Sequence, residues 1–268
     1  MFSIETPAER KSHLGLNVTD MYQDEEVPVE RSLVERALPT SMDWARAMRP
    51  VENQGQCGSC WAFSAVSAIE GNNYIATGDK NKLSEQEMLT CSYTSRDWCR
   101  GGWMSESFKF VKNAGRLATQ ASAPYTGKGE LSCNYRASTN GMTKGRVTSY
   151  KTTDKTDNGL MSASSQGVIS VAMLVVDSFY MYKSGIYSDN QCMNKAPNHA
   201  VTVTGYGDGY WLVRNSWGTG WGEKGYVKMS RRVQNVCGIA RNAMIPIVTC
   251  RPGMSCSTPS FDESDNNE

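Results

Sequence analysis

Cys57 and Cys60 stand in the run Cys57-Gly58-Ser59-Cys60-Trp61. A Cys-x-x-Cys pair has three uses: a redox couple, half of a metal site, or a disulfide cysteine beside a nucleophile. A metal site needs a second pair of ligands at similar spacing, and no other two cysteines here are separated by two residues. A thioredoxin-like couple needs a hydrophobic strand before the motif, and the preceding stretch, RPVENQGQ, is not one. The third reading has physical support. Apolar and small residues run almost all round from Trp61 to Ile69, which predicts a buried helix starting near Cys60. Backbone N–H groups and the dipole at a helix start stabilise a thiolate. A thiolate nucleophile needs a proton-accepting partner, and that partner needs a group to orient it.

The chain has two histidines, His13 and His199. His199 opens the segment HAVTVTGY, and Asn215 lies in YWLVRNSW; Gly207-Asp208-Gly209 between them is a hairpin signal. If Tyr206 pairs with Tyr210, Val201 lies opposite Asn215 and His199 opposite Trp217, so the four share one face. Asn215 is then a diagonal neighbour of His199. Its amide oxygen can orient the imidazole, and the Trp217 indole can keep water off that bond. Taken by itself the pair also reads as a structural His and Asn in an ordinary hairpin.

The elements that would position these groups fall into two halves. Ser84 with Glu87 three residues on predicts a capping box before a second helix, and Met104 to Ala114 reads as a third, ending at Gly115. After about residue 140, Val168–Val176, His199–Tyr206, Tyr210–Asn215 and Gly225–Ser230 read as strands split by glycine-rich turns. A helical half followed by a sheet half is an α+β arrangement, two lobes around one cleft. The longest apolar run, Val171 to Val176, is six residues against the roughly 20 a membrane span needs, so no membrane partner is expected. The first residues, MFSIETPAERKSHLG, contain no apolar core of a signal peptide. Residues 1–37 carry a net charge of −4, residues 248–268 of −3 and the middle of +8. The bases of the middle are scattered, which favours a solvated surface over nucleic-acid binding. Nine cysteines are many for a reducing compartment, and the odd number flags one free thiol.

With these residues in view, the chain resembles the papain-like cysteine proteases, the cathepsin L type in particular. Cys-Gly-Ser-Cys-Trp is a signature general to that family, with its histidine and asparagine well downstream. Here they follow Cys60 by 139 and 155 residues. The resemblance also rests on LPTSMDW at 38–44, LSEQEML at 83–89, CRGGW at 99–103, PY at 124–125, YKSGIY at 182–187, NHAVTVTGYG at 198–207 and the long run YWLVRNSWGTGWGEKGYVKMSR from 210 to 231. It spans residues 38–247.

The resemblance implies a two-lobe fold, one lobe mainly helical and one an antiparallel β-barrel-like lobe, with the active site in the cleft between them. It implies an endopeptidase with no cofactor or metal, acting on protein or peptide substrates. Cys60 attacks the scissile carbonyl as a thiolate paired with the His199 imidazolium. Asn215 orients His199, Trp217 shields their bond, and Gln54 donates to the oxyanion together with the backbone N–H of Cys60. Gly102, beside Gly101, would hydrogen-bond an extended substrate. Trp103, Met104, Ala172, Pro197, Ala200 and Asn242 match the pocket for the residue before the cleaved one. They imply a hydrophobic preference there. Family pairing gives Cys57–Cys99, Cys91–Cys133 and Cys192–Cys237; Cys250–Cys256 is our own addition, and Cys60 is left free. Such disulfides fit a lysosomal, vacuolar or extracellular protein.

Residues 1–37 read as the remnant of an acidic prosegment: Gly15, Asn17 and Asp20 resemble its Gly-Asn-Phe-Asp motif, without the phenylalanine and one residue short. Protonation of the acidic residues would loosen their hold on the basic core. Asn17-Val18-Thr19 is a glycosylation sequon. Residues 248–268 read as a flexible acidic extension. A monomer is expected, with its own prosegment and cystatin-like proteins as possible inhibitors. Two rivals stand beside this reading: a thiol–disulfide oxidoreductase using Cys57 and Cys60, and a catalytically silent binding or storage protein on the same fold.

Overall fold

A small-residue helix is the structural axis of the molecule. The computed structural model describes residues 6–17, 38–92, 99–129, 133 and 141–259. In chain order these form α1 (Pro7–Ser12), β1 (Met42–Asp43), α2 (Cys60–Thr77), α3 (Glu85–Cys91) and α4 (Met104–Ala114). There follow β2 (Gly145–Thr152), α5 (Asp157–Ser164), β3 (Ile169–Met173), α6 (Asp177–Tyr180) and β4 (Ile186–Tyr187). The chain closes with β5 (His199–Gly207), β6 (Tyr210–Arg214), β7 (Tyr226–Ser230) and β8 (Ala243–Cys250). The expected α+β halves are present. One apolar cluster gathers Trp61, Ile69, Leu89, Trp103 and Phe108 around the helices. A second gathers Val171, Val203, Trp211, Val213 and Trp221 within the sheet.

Helix α2 is buried almost all round, because its side chains are small enough to pack against α3, α4 and the sheet at once. Its polar groups are satisfied by the sheet, as buried polar groups must be. Ser64 Oγ donates to Val201 O at 2.6 Å, and Asn72 Nδ2 to Val168 O at 2.8 Å. Ser84 caps α3 by accepting from the Glu87 N–H at 2.9 Å. The reciprocal half of the expected capping box is replaced: the Ser84 N–H donates to Ala118 O, and Glu87 Oε2 accepts from Ala118 N at 2.6 Å. The carboxylate ties α3 to a neighbouring strand-like segment instead of to its own cap. Helix α4 buries Met104, Phe108 and Val111 and ends at left-handed Gly115, as its sequence predicts.

The sheet runs β2-β8-β3-β5-β6-β7-β4, with β1 added on β5. All pairs are antiparallel except β4 with β7. Strand β5 is central and buried along its whole length. The predicted strand at 168–176 is shorter, ending at Met173.

The β5–β6 register corrects the expectation at its turn. Gly207 pairs with Tyr210, Tyr206 with Trp211 and Gly205 with Leu212, one position away from Tyr206–Tyr210. A two-residue Asp208-Gly209 turn, with Gly209 at φ 75°, makes the tighter connection. Between Gly205 and Val203 the register then shifts, with Thr204 as the extra residue of a bulge. Val203 pairs with Val213 and Thr202 with Arg214, which is the expected register again. Continued by one residue, it sets Val201 against Asn215. The bulge returns the residue that the short turn takes away.

The expected boundary at 248 falls inside β8, whose Val248, Thr249 and Cys250 pair with Val147, Arg146 and Gly145. Cys250 is joined to Cys256, so the start of the extension is structured; residues 260–268 lie outside the described residues.

Candidate active site

Cys60 is the first residue of α2, where its sulfur meets the backbone N–H groups of Cys60 and Trp61. The loop before it is fixed on both sides. Cys57 is joined to Cys99, and the Gly58 N–H donates to Cys99 O at 2.9 Å. Tyr125 donates its hydroxyl proton to Gln54 O at 2.8 Å, so the 2.7 Å contact with Ser59 is donated by the serine. The remaining disulfides are Cys91–Cys133, Cys192–Cys237 and Cys250–Cys256, and Cys60 is the free thiol. With Cys57 committed to Cys99, Cys57 and Cys60 do not form a redox couple. No cluster of three or more metal-ligating side chains is found among the described residues.

His199 begins β5 and is buried. Its Nε2 lies 2.9 Å from Asn215 Oδ1, which also accepts from the Ser216 N–H at 2.9 Å. The Trp217 ring covers the imidazole at a centroid distance of 5.0 Å. Gln54 is drawn to the same place from the other side: its N–H donates to Ser216 O, and its Oε1 accepts from Ser216 Oγ. The bulged hairpin, the Cys60 loop and Gln54 thus converge at Ser216.

The cleft is occupied by the chain itself. Residues 6–17 lie across it. Arg10 O accepts from the Tyr180 hydroxyl at 2.9 Å, next to Trp217. His13 O accepts from Gln54 Nε2 at 3.0 Å, which puts a carbonyl oxygen on the expected oxyanion donor. At the far end Gly102 N–H donates to Gly15 O at 3.2 Å and Gly102 O accepts from Asn17 N at 3.1 Å, with Leu16 bridged to Gly102 in parallel. Glycine is required on both sides of this contact. A Cβ on Gly15 would stand 1.9 Å from Gly58 O, and a Cβ on Gly102 2.6 Å from the Trp61 ring. The docked part carries Glu9, Arg10 and Lys11, with Glu9 bound to its own cap residue Thr6, so it is not acidic. Its described grip is backbone bonding and burial, with Arg10 near Asp177 at one end. Asp20 to Glu35, the acids expected to hold the basic core, lie outside the described residues.

This occlusion resets the acid–base chemistry. Burial pushes the Cys60 thiol up to about 11, although backbone N–H groups of Ala200, Gly15 and Trp61 oppose it. Burial likewise pushes His199 down to about 4, against the hydrogen bond that its Nε2 donates to Asn215 Oδ1. With the segment docked, the neutral thiol and neutral imidazole are favoured at pH 7.

The expected pocket residues divide. Trp103, Met104, Ala172 and Ala200 are buried in the helical cluster, and Leu16 of the docked segment packs on that cluster. Gly101, at φ 114°, faces Gly15. Pro197 is half-buried, and Asn242 is held to this strand by its carbonyl, which accepts from Ala172 N at 3.1 Å. Tyr125 and Ser216 are positioning groups that the sequence reading did not assign; the Pro124-Tyr125 pair and the Asn215-Ser216-Trp217 run were their only signals.

Comparison with known proteins places this geometry. Residues 38–247 match the family model described as papain family cysteine protease. Zingipain-2 of Zingiber officinale is 41% identical over 221 residues, covering 78% of this chain and 97% of that protein. Procathepsin L of Mus musculus is 40% identical over 224 residues, covering 79% of this chain; the match spans 66% of that longer relative. The structure of digestive procathepsin L 3 from Tenebrio molitor larval midgut superposes with a TM-score of 0.75 at 34% identity, covering 88% of this chain and 76% of that one.

Proposed function

Because the chain belongs to the papain family of cysteine proteases, we propose that it is an endopeptidase whose Cys60 and His199 cleave peptide bonds and whose residues 6–17 hold it inactive. The observation that carries the reading is the His13 carbonyl on Gln54 Nε2, the donor expected to face a scissile carbonyl. Once the segment leaves, water reaches the pair, the burial that raises Cys60 and lowers His199 is relieved, and the thiolate–imidazolium pair becomes accessible.

The Cys60 sulfur then attacks the scissile carbonyl carbon, and the carbonyl π electrons move onto oxygen, which Gln54 Nε2 and the Cys60 N–H stabilise. As the C–N bond breaks, His199 gives its proton to the leaving nitrogen and a thioester remains on Cys60. His199 next takes a proton from water, the hydroxyl adds to the thioester, and the C–S bond breaks to release the carboxylic acid and restore the thiolate–imidazolium pair. Asn215 holds Nε2 throughout, so the other ring nitrogen carries the proton traffic. Leu16, packed on the cluster holding Trp103, Met104, Ala172 and Ala200, supports a hydrophobic residue at the second position before the cut. The four disulfides support an oxidising compartment: lysosomal, vacuolar or extracellular. No described helix is long and apolar enough to cross a membrane. Cystatin-like proteins that enter the same cleft would compete with the segment.

Hydrolysis of a fluorogenic peptide with Leu before the cleaved residue tests this. The full chain carrying Gly15→Val cannot seat its segment and is expected to cleave, whereas the same chain with Cys60→Ala is not. A folded Gly15→Val chain that is silent on a panel of such peptides points to the non-catalytic binding protein instead.

A further inference from the structure

The docked segment fixes the polarity of the cleft. Gly102 binds Gly15 and Asn17 at one end, Gln54 binds His13 O in the middle, and Tyr180 binds Arg10 O at the other end. His199, which must protonate the leaving nitrogen, is covered by Trp217, and Tyr180 stacks flat on Trp217 at 4.9 Å and 2°. Tyr180 therefore lines the side that receives the leaving half of a substrate.

That end holds a cation. The Arg10 guanidinium lies 5.8 Å from the Tyr180 ring centroid, and its Nη1 is 4.0 Å from Asp177 Oδ1. Asp177 opens α6 and its side chain is 96% exposed, so its charge is open to a ligand arriving from solvent. The Tyr180 ring is a polarised face already flattened against Trp217, with its hydroxyl committed to a backbone carbonyl. A planar guanidinium suits both features, because it can lie over a ring and pair with a carboxylate at its edge.

We propose that Tyr180 and Asp177 form a cation-selecting subsite for a substrate side chain one to three residues after the cut, with arginine preferred, and that Arg10 occupies this subsite in the closed molecule. The proposal rests on the protease reading of the same cleft and names a part of its substrate class.

Two measurements test it, both on the full chain. The first uses the Gly15→Val chain and internally quenched peptides that differ only in the residues one to three positions after the cut, carrying Arg, Lys, Leu or Glu. Arg is expected to exceed Glu in kcat/KM by about fivefold at one of these positions, since exposed cation–π and ion-pair contacts are each modest. The Arg-to-Leu ratio is expected to fall toward one in Tyr180→Leu and in Asp177→Asn. Equal rates for Arg and Glu at all three positions, or a ratio that both variants leave intact, overturns the proposal while the protease stands. Silence on every peptide overturns the protease reading and the proposal with it. The second needs no turnover: iodoacetamide alkylation of Cys60 in the otherwise unaltered chain is expected to quicken about fivefold in Arg10→Glu and to stay unchanged in Lys11→Glu, an exposed neighbour. If Arg10→Glu alkylates no faster than the parent chain, Arg10 is not held there and the subsite falls.

Discussion

Cys60 and His199 are held by different kinds of structure. The Cys60 end is built from a helix start held by clamps from distant chain: the Cys57–Cys99 bridge and the Ser59–Tyr125–Gln54 hydroxyl relay. The His199 end is built from register alone. His199 and Asn215 are 16 residues apart and meet only because a short turn and the Thr204 bulge together restore their alignment. Cys60 is thus placed by a covalent bridge and hydroxyl bonds, and His199 by the pairing of two strands. Ser216 joins the two, bonded to Gln54 through both its carbonyl and its hydroxyl.

That contrast can be broken from either side. The largest expected effect is at the junction: Gln54→Ala in the Gly15→Val chain should lower kcat by about 10²–10³ with little change in KM, as measured by peptide hydrolysis, because it removes an oxyanion donor. Removing the clamp on the nucleophile, with Cys57→Ser and Cys99→Ser together, should cost about 2–4 kcal/mol of stability in thermal or denaturant unfolding, since the bridge closes a separation of 42 residues. On the register side, Asn215→Ala should lower kcat about tenfold and shift the acid limb of the pH–rate profile, because His199 loses the acceptor that fixes its ring. The smallest effect should come from Tyr125→Phe, which removes the hydroxyl from Gln54 O and Ser59 and should lower stability by about 0.5–1.5 kcal/mol in denaturant unfolding.

The same contrast explains what could be read from the sequence. Cys60, Gln54, His199 and Asn215 stand in local motifs, and the helices announce themselves by caps and apolar spacing, as at Met104–Gly115. The bulge at Thr204 has no such mark, because it answers a turn several residues away. Strand β8 is disguised by Pro246, which argues against an interior strand. The structure admits it because β8 pairs with β3 only at Ala243 and Met244, so Pro246 faces a strand on one side alone. Gly15 and Asn17 marked residues 6–17 in the sequence, but not how they bind. The net charge of residues 1–37 pointed to electrostatics, whereas the docked part uses backbone bonds to Gly102 and Gln54 and buries His199.

Burial fixes the protonation of the closed pair and with it how the occlusion responds to pH. In the closed molecule burial holds His199 at about 4, below its ordinary value near 6.5, and Cys60 at about 11, so the closed pair is neutral where the open pair is proposed to be thiolate and imidazolium. Closing then moves one proton from His199 to Cys60 with little net uptake or release between about pH 5 and 7.5, so the occlusion is expected to persist across that window. The most direct measurement is the rate of iodoacetamide alkylation of Cys60 in the full chain and in Gly15→Val, compared from pH 7.5 down to 4. The account predicts a large excess for Gly15→Val at pH 7.5 that persists to about pH 5, because the open pair keeps its thiolate while the docked Cys60 stays a thiol. Equal rates at pH 7.5 would contradict the occlusion itself, and an excess that disappears by pH 5 would contradict the proton shift between His199 and Cys60.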